Sequence, residues 1–238
     1  MRSFYRNGKV MEEGRYAQGV KEGPWNYWYM DGKPMLKELW EDSICLTTDA
    51  WDKDGAQTIV KGDGVLRNYY PSGALREEAN YKLGVVSGPY KELWPTGGPK
   101  VIGNNIAGVR TGEWTWYFSN GKPEKKATYL KGKLSGPYTV YFDEGQENTT
   151  GFYLTGQKDS AWTWYTASGK REMLGHFKAD QQHGLWKYWY KNDQLSSTGL
   201  FAAGKQEGEW VYYYEGGENW KRGTWKAGEK DGLWTTWF

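Results

Sequence analysis

Few residues in this sequence are equipped for covalent or metal chemistry. Two histidines, His176 and His183, and one cysteine, Cys45, stand among 29 acidic and 31 basic side chains in 238 residues. Two imidazoles fall short of the ligand set of a zinc site, and one thiol makes neither an intrachain disulfide nor a Cys-based zinc site. No G-x-S-x-G elbow announces a serine nucleophile, although a Ser-His-Asp set is assembled in space and leaves no fixed spacing in sequence. Neighbouring carboxylates such as Glu12-Glu13 and Glu77-Glu78 read as solvated charges, not as a glycosidase acid pair. Asp52, Asp54 and Asp63 flank glycines but lack the twelve-residue loop and closing glutamate of a calcium site, so they read as turn formers. The expectation is a chain with no catalytic residue, no metal and no cofactor.

Aromatic side chains are abundant instead, with 16 Trp and 19 Tyr beside 33 Gly. They recur with a fixed period. Units begin at Gly64, Gly88, Gly112, Gly136, Gly184, Gly208 and Gly232, with Ser160 in the remaining slot, so that successive starts differ by 24. Counting each start as position 0, a large residue stands at position 2 (Trp114, Trp162, Trp186, Trp210) and others at positions 5 and 6. A turn glycine follows at position 9, with Asp193 substituting once. A small residue at position 15 (Gly151, Gly175, Gly199) precedes an aromatic at position 17 (Tyr153, Phe177, Phe201) and a further turn glycine at position 20.

Alternation of aromatic and polar positions is the period of a half-buried strand, and glycine at the breaks is the chemistry of hairpin turns. Each unit therefore predicts one hairpin. The small residue at position 15 leaves room for a neighbouring ring to lie against the backbone. A lone hairpin is marginal in water, so neighbours must stack. The predicted fold is all-β: an elongated array of stacked β-hairpins forming a twisted antiparallel single sheet, an open solenoid. About nine two-stranded units at roughly 4.8 Å per strand would extend on the order of 90 Å. One repeat domain is expected over 1–238, with a partial repeat at 1–22, irregular repeats at 23–63 and regular ones at 64–238. The stretch between Glu41 and Gly64 reads as a degenerate unit in preference to an inserted loop, with a turn at Asp54-Gly55 and a short strand from Thr58 to Lys61.

The pattern G-x-W-x-x-Y-Y-x-x-G, followed by an aromatic and a turn glycine, resembles MORN repeats. It is most similar to the bacterial variant of YwqK-type antitoxin-repeat proteins, and "HGLWKYWYKN" (His183 to Asn192) carries the likeness best. The resemblance implies an extended hairpin array used for protein contact, dimerisation or, in eukaryotic members, contact with lipid headgroups. Asn105 and Thr166 depart from the pattern where aromatics are expected.

A formal net charge of +2 with interspersed signs offers no polybasic footprint, so nucleic acid and anionic membrane are not the expected partners. No apolar run approaches the roughly 18 residues of a spanning helix, and "MRSFYRNGKV" lacks the apolar core of a secretory signal. The chain is expected to be soluble, either cytoplasmic or exported with its leader removed. If positions 2, 4 and 6 form the core face, position 5 points the other way. Tyr117, Tyr141, Tyr165, Trp189 and Tyr213 are then the expected contact surface. The function expected is a non-enzymatic scaffold binding another protein, or a second copy, through this face or an open sheet edge. The alternative is a module for cell-surface glycan or choline-type ligands, in which aromatic cages hold a cation or a sugar ring.

Overall fold

A computed structural model describes every residue, Met1–Phe238, and every regular element in it is a β-strand. The chain divides into two compact units, Met1–Thr111 and Gly112–Phe238. The first ten strands are β1 (Arg2–Phe4), β2 (Val10–Ala17), β3 (Val20–Trp28), β4 (Pro34–Glu41), β5 (Ile44–Trp51), β6 (Gln57–Val60), β7 (Asp63–Tyr69), β8 (Leu75–Lys82), β9 (Val85–Leu93) and β10 (Pro99–Ile106). They are followed by β11 (Val109–Tyr117), β12 (Pro123–Leu130), β13 (Lys133–Tyr141), β14 (Glu147–Leu154), β15 (Gln157–Tyr165), β16 (Arg171–Lys178), β17 (Gln181–Trp189), β18 (Leu195–Ala202), β19 (Lys205–Tyr213), β20 (Asn219–Lys226) and β21 (Glu229–Thr236). Inside each unit every strand pairs antiparallel with its sequence neighbours, giving open arrays of hairpins as the repeat predicts.

Two kinds of turn alternate along the two edges. At position 20 the chain reverses in two residues that both have positive φ, as in Ala203 (φ 47) and Gly204 (φ 79), a type I′ geometry matched to strand twist. At position 9 the reversal is longer: the Tyr190 N–H bonds the Gln194 carbonyl, and Asp193 (φ 71) occupies the glycine slot.

Both edges are also stitched from one hairpin to the next. On one, the N–H of Gly156, Gly204 and Gly228 bonds the carbonyls of Leu134, Gln182 and Gln206, each 22 residues back. On the other, the position-6 tyrosine hydroxyl donates to a carbonyl 22 or 23 residues ahead: Tyr5 to Trp28, Tyr29 to Trp51, Tyr70 to Leu93 and Tyr190 to Tyr213, all at 2.7–2.8 Å. Asn120 and Asn192 do the same from position 8, reaching Asp143 and Glu215. This corrects one expectation. Position 6 does not continue the face of positions 2 and 4, because the pairing register shifts between positions 4 and 5 and the next residue leaves the strand for the turn.

The core is a layer of rings on one face. Each position-2 tryptophan folds back over the small residue eleven positions earlier in the preceding hairpin. A Cβ added to Gly151, Gly175, Gly199 or Gly223 would lie 2.1–2.2 Å from the indole of Trp162, Trp186, Trp210 or Trp234. Where the ring is a tyrosine, as in Tyr90 and Tyr138, the corresponding residue is alanine, Ala79 and Ala127. An indole laid flat on the backbone thus requires glycine, and the smaller phenol accepts one methyl. The strand bulges to allow it, since three residues of β15, from Ser160 to Trp162, stand opposite Gly151 alone. The bulge puts position 0 at positive φ, which explains the leading glycine of each unit and leaves Ser160 (φ 59) as the exception.

The irregular stretch folds as a degenerate unit. Asp52 Oδ1 accepts the N–H groups of Asp54 and Ala56 to close its first turn, β6 keeps only four residues, and Lys61-Gly62 turns early. The shortened strand brings the Gly84 carbonyl within 2.9 Å of the Thr47 N–H.

Candidate functional site

The two sheet faces differ in what their side chains are doing. On the ring face of the second unit, positions 2 and 4 form a continuous ladder: Trp162, Trp164, Trp186, Tyr188, Trp210, Tyr212 and Trp234 follow one another at centroid distances of 5.9–6.4 Å and tilts of 29–35°. The position-17 rings stand edge-on in the gaps, Tyr153, Phe177 and Phe201 lying 5.2–5.3 Å from Trp162, Trp186 and Trp210. Edge-to-face pairs of this kind add about 0.5–1.5 kcal/mol each beyond area burial. Three of the indole N–H groups are satisfied too, Trp162 donating to the Phe152 carbonyl, Trp186 to the His176 carbonyl and Trp210 to the Leu200 carbonyl, whereas the Trp234 N–H is buried without a partner.

Lysines roof parts of this layer. Lys158 Nζ lies 4.6 Å from the Trp162 ring centre, and Lys21 Nζ lies 4.1 Å from Trp25 with Tyr27 and Trp40 close by. Over Trp25 and Trp162 the place where a cationic ligand would meet the rings already holds the chain's own ammonium group.

In the first unit the ladder runs from Tyr16 through Trp25 to Tyr27 and stops at Glu38, which occupies the small-residue slot opposite Trp25. Glu38 accepts hydrogen bonds from Tyr27 Oη (2.8 Å) and Trp40 Nε1 (2.9 Å). Burial, and then this carboxylate, push the Tyr27 phenol upward; burial and Glu38 likewise push the Cys45 thiol to about 12. A thiol held protonated in this way is no nucleophile.

The opposite face carries three rows. Positions 1 and 16 alternate across strands, and Pro137, Phe152, Ala161, His176, Leu185 and Leu200 there are all exposed; Phe152, Leu185 and Leu200 are 37%, 46% and 45% accessible. Positions 3 and 14 form a central row of Thr115, Lys126, Thr139, Thr150, Thr163, Leu174, Lys187, Thr198, Val211, Arg222 and Thr235, in which every charge is positive. The third row holds the five residues singled out from sequence. Tyr117, Tyr141, Tyr165, Trp189 and Tyr213 each end their strand and are half-buried, and no two of them stack ring on ring. Arg171 sits 5.2 Å over the Trp189 ring and, with Thr163, Tyr165, Leu174 and Asp193, lines an open hollow of about 540 Å³.

The exposed apolar row was missed from sequence although its signal is simple: positions 1 and 16 fall between ring-face residues, so period 2 sends them to this face. The same rows in the first unit mix apolar residues, including exposed Tyr69 and Ile102, with paired polar ones. Arg67 and Lys91 both pair with Glu78 (2.7 and 2.9 Å), and Asn80 Nδ2 bonds the Pro89 carbonyl.

The titratable candidates find other roles. His176 and His183 are register partners on β16 and β17, both exposed, and no group of three metal-ligating side chains forms around them. Asp63 Oδ1 accepts the Leu83 N–H, Glu13 pairs with Arg2, and Glu77 accepts from Asn68.

The bulged tryptophan over glycine, the aromatic at position 17 and the two turn types describe the repeat well enough to compare it with known families. Four stretches match the MORN repeat variant. They are residues 1–18, 62–83, 110–131 and 182–203. The last three of these MORN-type stretches each cover one hairpin to within a residue, β7–β8, β11–β12 and β17–β18. No curated protein matches the sequence. Among solved structures, the chain is similar at 13% identity to parts of TcdB2-TccC3-Cdc42 (TM-score 0.23) and of TcdB2-TccC3 (TM-score 0.24), covering 93% of this chain and 13% of those. A Photorhabdus luminescens Tc holotoxin pore gives 10% identity and a TM-score of 0.21 over 90% of this chain and 14% of that one. The chain thus spans about an eighth of the length of these structures, and the functional reading below rests on its own geometry.

Proposed function

We propose that this chain is a non-enzymatic repeat scaffold, of the YwqK-type bacterial form, that binds another protein through the face opposite its stacked rings. One observation carries the reading. The second unit leaves Phe152, Leu185 and Leu200 exposed in one row, beside the half-buried row from Tyr117 to Tyr213. Clustered exposed apolar side chains mark a contact site, and tyrosine and tryptophan dominate binding hot spots. The glycan or choline-type alternative needs open aromatic cages, and the chain's own lysines fill those over Trp25 and Trp162.

The test is capture from the source organism's extract with wild-type chain and a Leu185→Asp/Leu200→Asp variant side by side. Both leucines are exposed, so the variant is expected to fold. A stoichiometric protein retained by wild type and lost by the variant is the expected result. Equal retention by the two would sink the assignment of this face, and enrichment of glycan released by choline or soluble sugar would favour the alternative.

A further inference from the structure

The face described above also has a spacing, and the spacing selects a partner conformation. Position-5 side chains of the second unit recur once per hairpin, that is every two strands, or about 9.6 Å. A polyproline II segment has three residues per turn and rises about 3.1 Å per residue, so it repeats every ~9.3 Å. Laid across the strands, every third residue would meet successive hairpins with a drift of only about 0.3 Å per step. A β-strand returns a side chain to the same side every ~6.7 Å, and seven residues of α-helix advance ~10.5 Å, drifting about 1 Å per hairpin. Across the four steps from Tyr117 to Tyr213 the helix would be about 4 Å out of place.

Charge selects the partner's sign. Lys126, Lys187 and Arg222 lie in the central row without an acid among them, none makes a salt bridge, and Arg171 stands beside Trp189. A second copy of the same face would bring cations onto cations. Acids also border the face: Glu147 is the register partner of Tyr141, Asp193 lines the hollow with Arg171 but pairs with Lys170, and Glu113 and Glu209 stand in the outer row, so the unpaired positive charge centres on Arg171 and Lys187.

Resting on the scaffold reading, we infer that the partner is an acidic, proline-bearing extended segment running across the strands of the second unit. A proline or apolar residue at every third position contacts Tyr141, Tyr165, Trp189 and Tyr213, and intervening carboxylates face Arg171 and Lys187. Such a segment is already close to its bound conformation, which lowers the ordering cost of docking into an aromatic row.

The experiment is fluorescence anisotropy of labelled fifteen-residue peptides with the full chain. One peptide repeats Pro-Glu-Ser; the controls are its scrambled sequence, its Lys-for-Glu counterpart and an acidic helix former without proline. The period-three acidic peptide is expected to bind at least tenfold more tightly than any control, and Trp189→Ala and, separately, Lys187→Glu are each expected to weaken it at least tenfold. Equal binding of the scrambled or helical acidic peptide, abolished by the same variants, overturns the conformational inference and leaves the contact face standing. Binding that ignores both variants, or no binding of the period-three peptide, overturns the inference outright. The contact face itself is then decided by the Leu185→Asp/Leu200→Asp capture.

Discussion

The two units solve the same problem in opposite ways. The second carries a ring ladder running from Trp162 to Trp234 and leaves Phe152, Leu185 and Leu200 exposed beside unpaired cations on its other face, whereas in the first the ladder breaks at Glu38 and Glu78 on the other face is held by Arg67 and Lys91. A single-layer sheet has no second layer to hide behind, so each face must be stabilised within itself. Rings stacked on glycine achieve this on one side in both units. On the other side the first unit pairs Glu78 with Arg67 and Lys91, and the second leaves Phe152, Leu185 and Leu200 accessible.

The largest effect expected from breaking this contrast is on the ladder. Trp210→Ala removes a ring held by Tyr188, Phe201 and Tyr212, and should cost about 3–5 kcal/mol in chemical denaturation. Leu66→Ala, at the equivalent position after the break in the first unit, should cost less than Trp210→Ala, and an equal cost would mean that the ladder is not what distinguishes the units. Next comes the glycine beneath a ring. Gly151→Ala should cost about 1–3 kcal/mol by overpacking Trp162, and adding Trp162→Tyr should restore most of it, as Ala127 with Tyr138 already demonstrates in a sister hairpin. Failure of the double variant to recover would refute the pairing rule.

Edge stitches should not distinguish the units. Tyr29→Phe in the first and Tyr190→Phe in the second each remove one hydroxyl-to-carbonyl bond and should cost about 1 kcal/mol alike. The ion-paired face should, by contrast, be acid-sensitive only in the first unit. The hydrogen bond from Lys91 leads in holding Glu78 below the ordinary carboxylate range, opposed by burial and aided by Arg67. Stability from this group is therefore present above the unfolded carboxylate pKa near 4.3 and is lost as pH falls through the lower folded value. Glu78→Gln should cost up to about 1 kcal/mol at neutral pH, and the difference from wild type should shrink on acidification below about pH 4. A difference that holds steady from pH 7 to pH 3 would remove the pair from the comparison. Smallest of all, Ser160→Gly relieves the one non-glycine position 0 at positive φ in the regular repeats and should stabilise the second unit by about 0.5 kcal/mol.

Much of the fold was legible because it is local and repeated. Position 15 was readable as a space for a ring, and Gly151, Gly175 and Gly199 lie under Trp162, Trp186 and Trp210. The proposed contact face was readable only in part. Alternation placed Tyr117 to Tyr213 away from the tryptophans and puts Phe152, Leu185 and Leu200 on that same face, but their exposure depends on no layer covering it, which alternation does not reveal. The meeting of His176 with His183 was equally invisible, since the bulge changes which residues stand opposite each other.

The sequence by itself determined the hairpin, its period and its turns, because strand alternation, left-handed turn positions and the need for a missing Cβ act within a few residues of each other. Only the tertiary structure decided which tryptophan lies on which glycine, that position 6 reaches forward to stitch the next hairpin, and which face remains open. Those outcomes depend on bulges that shift register between strands and on neighbours 22 or 23 residues away, and a side chain's burial is set by what lies across from it in space.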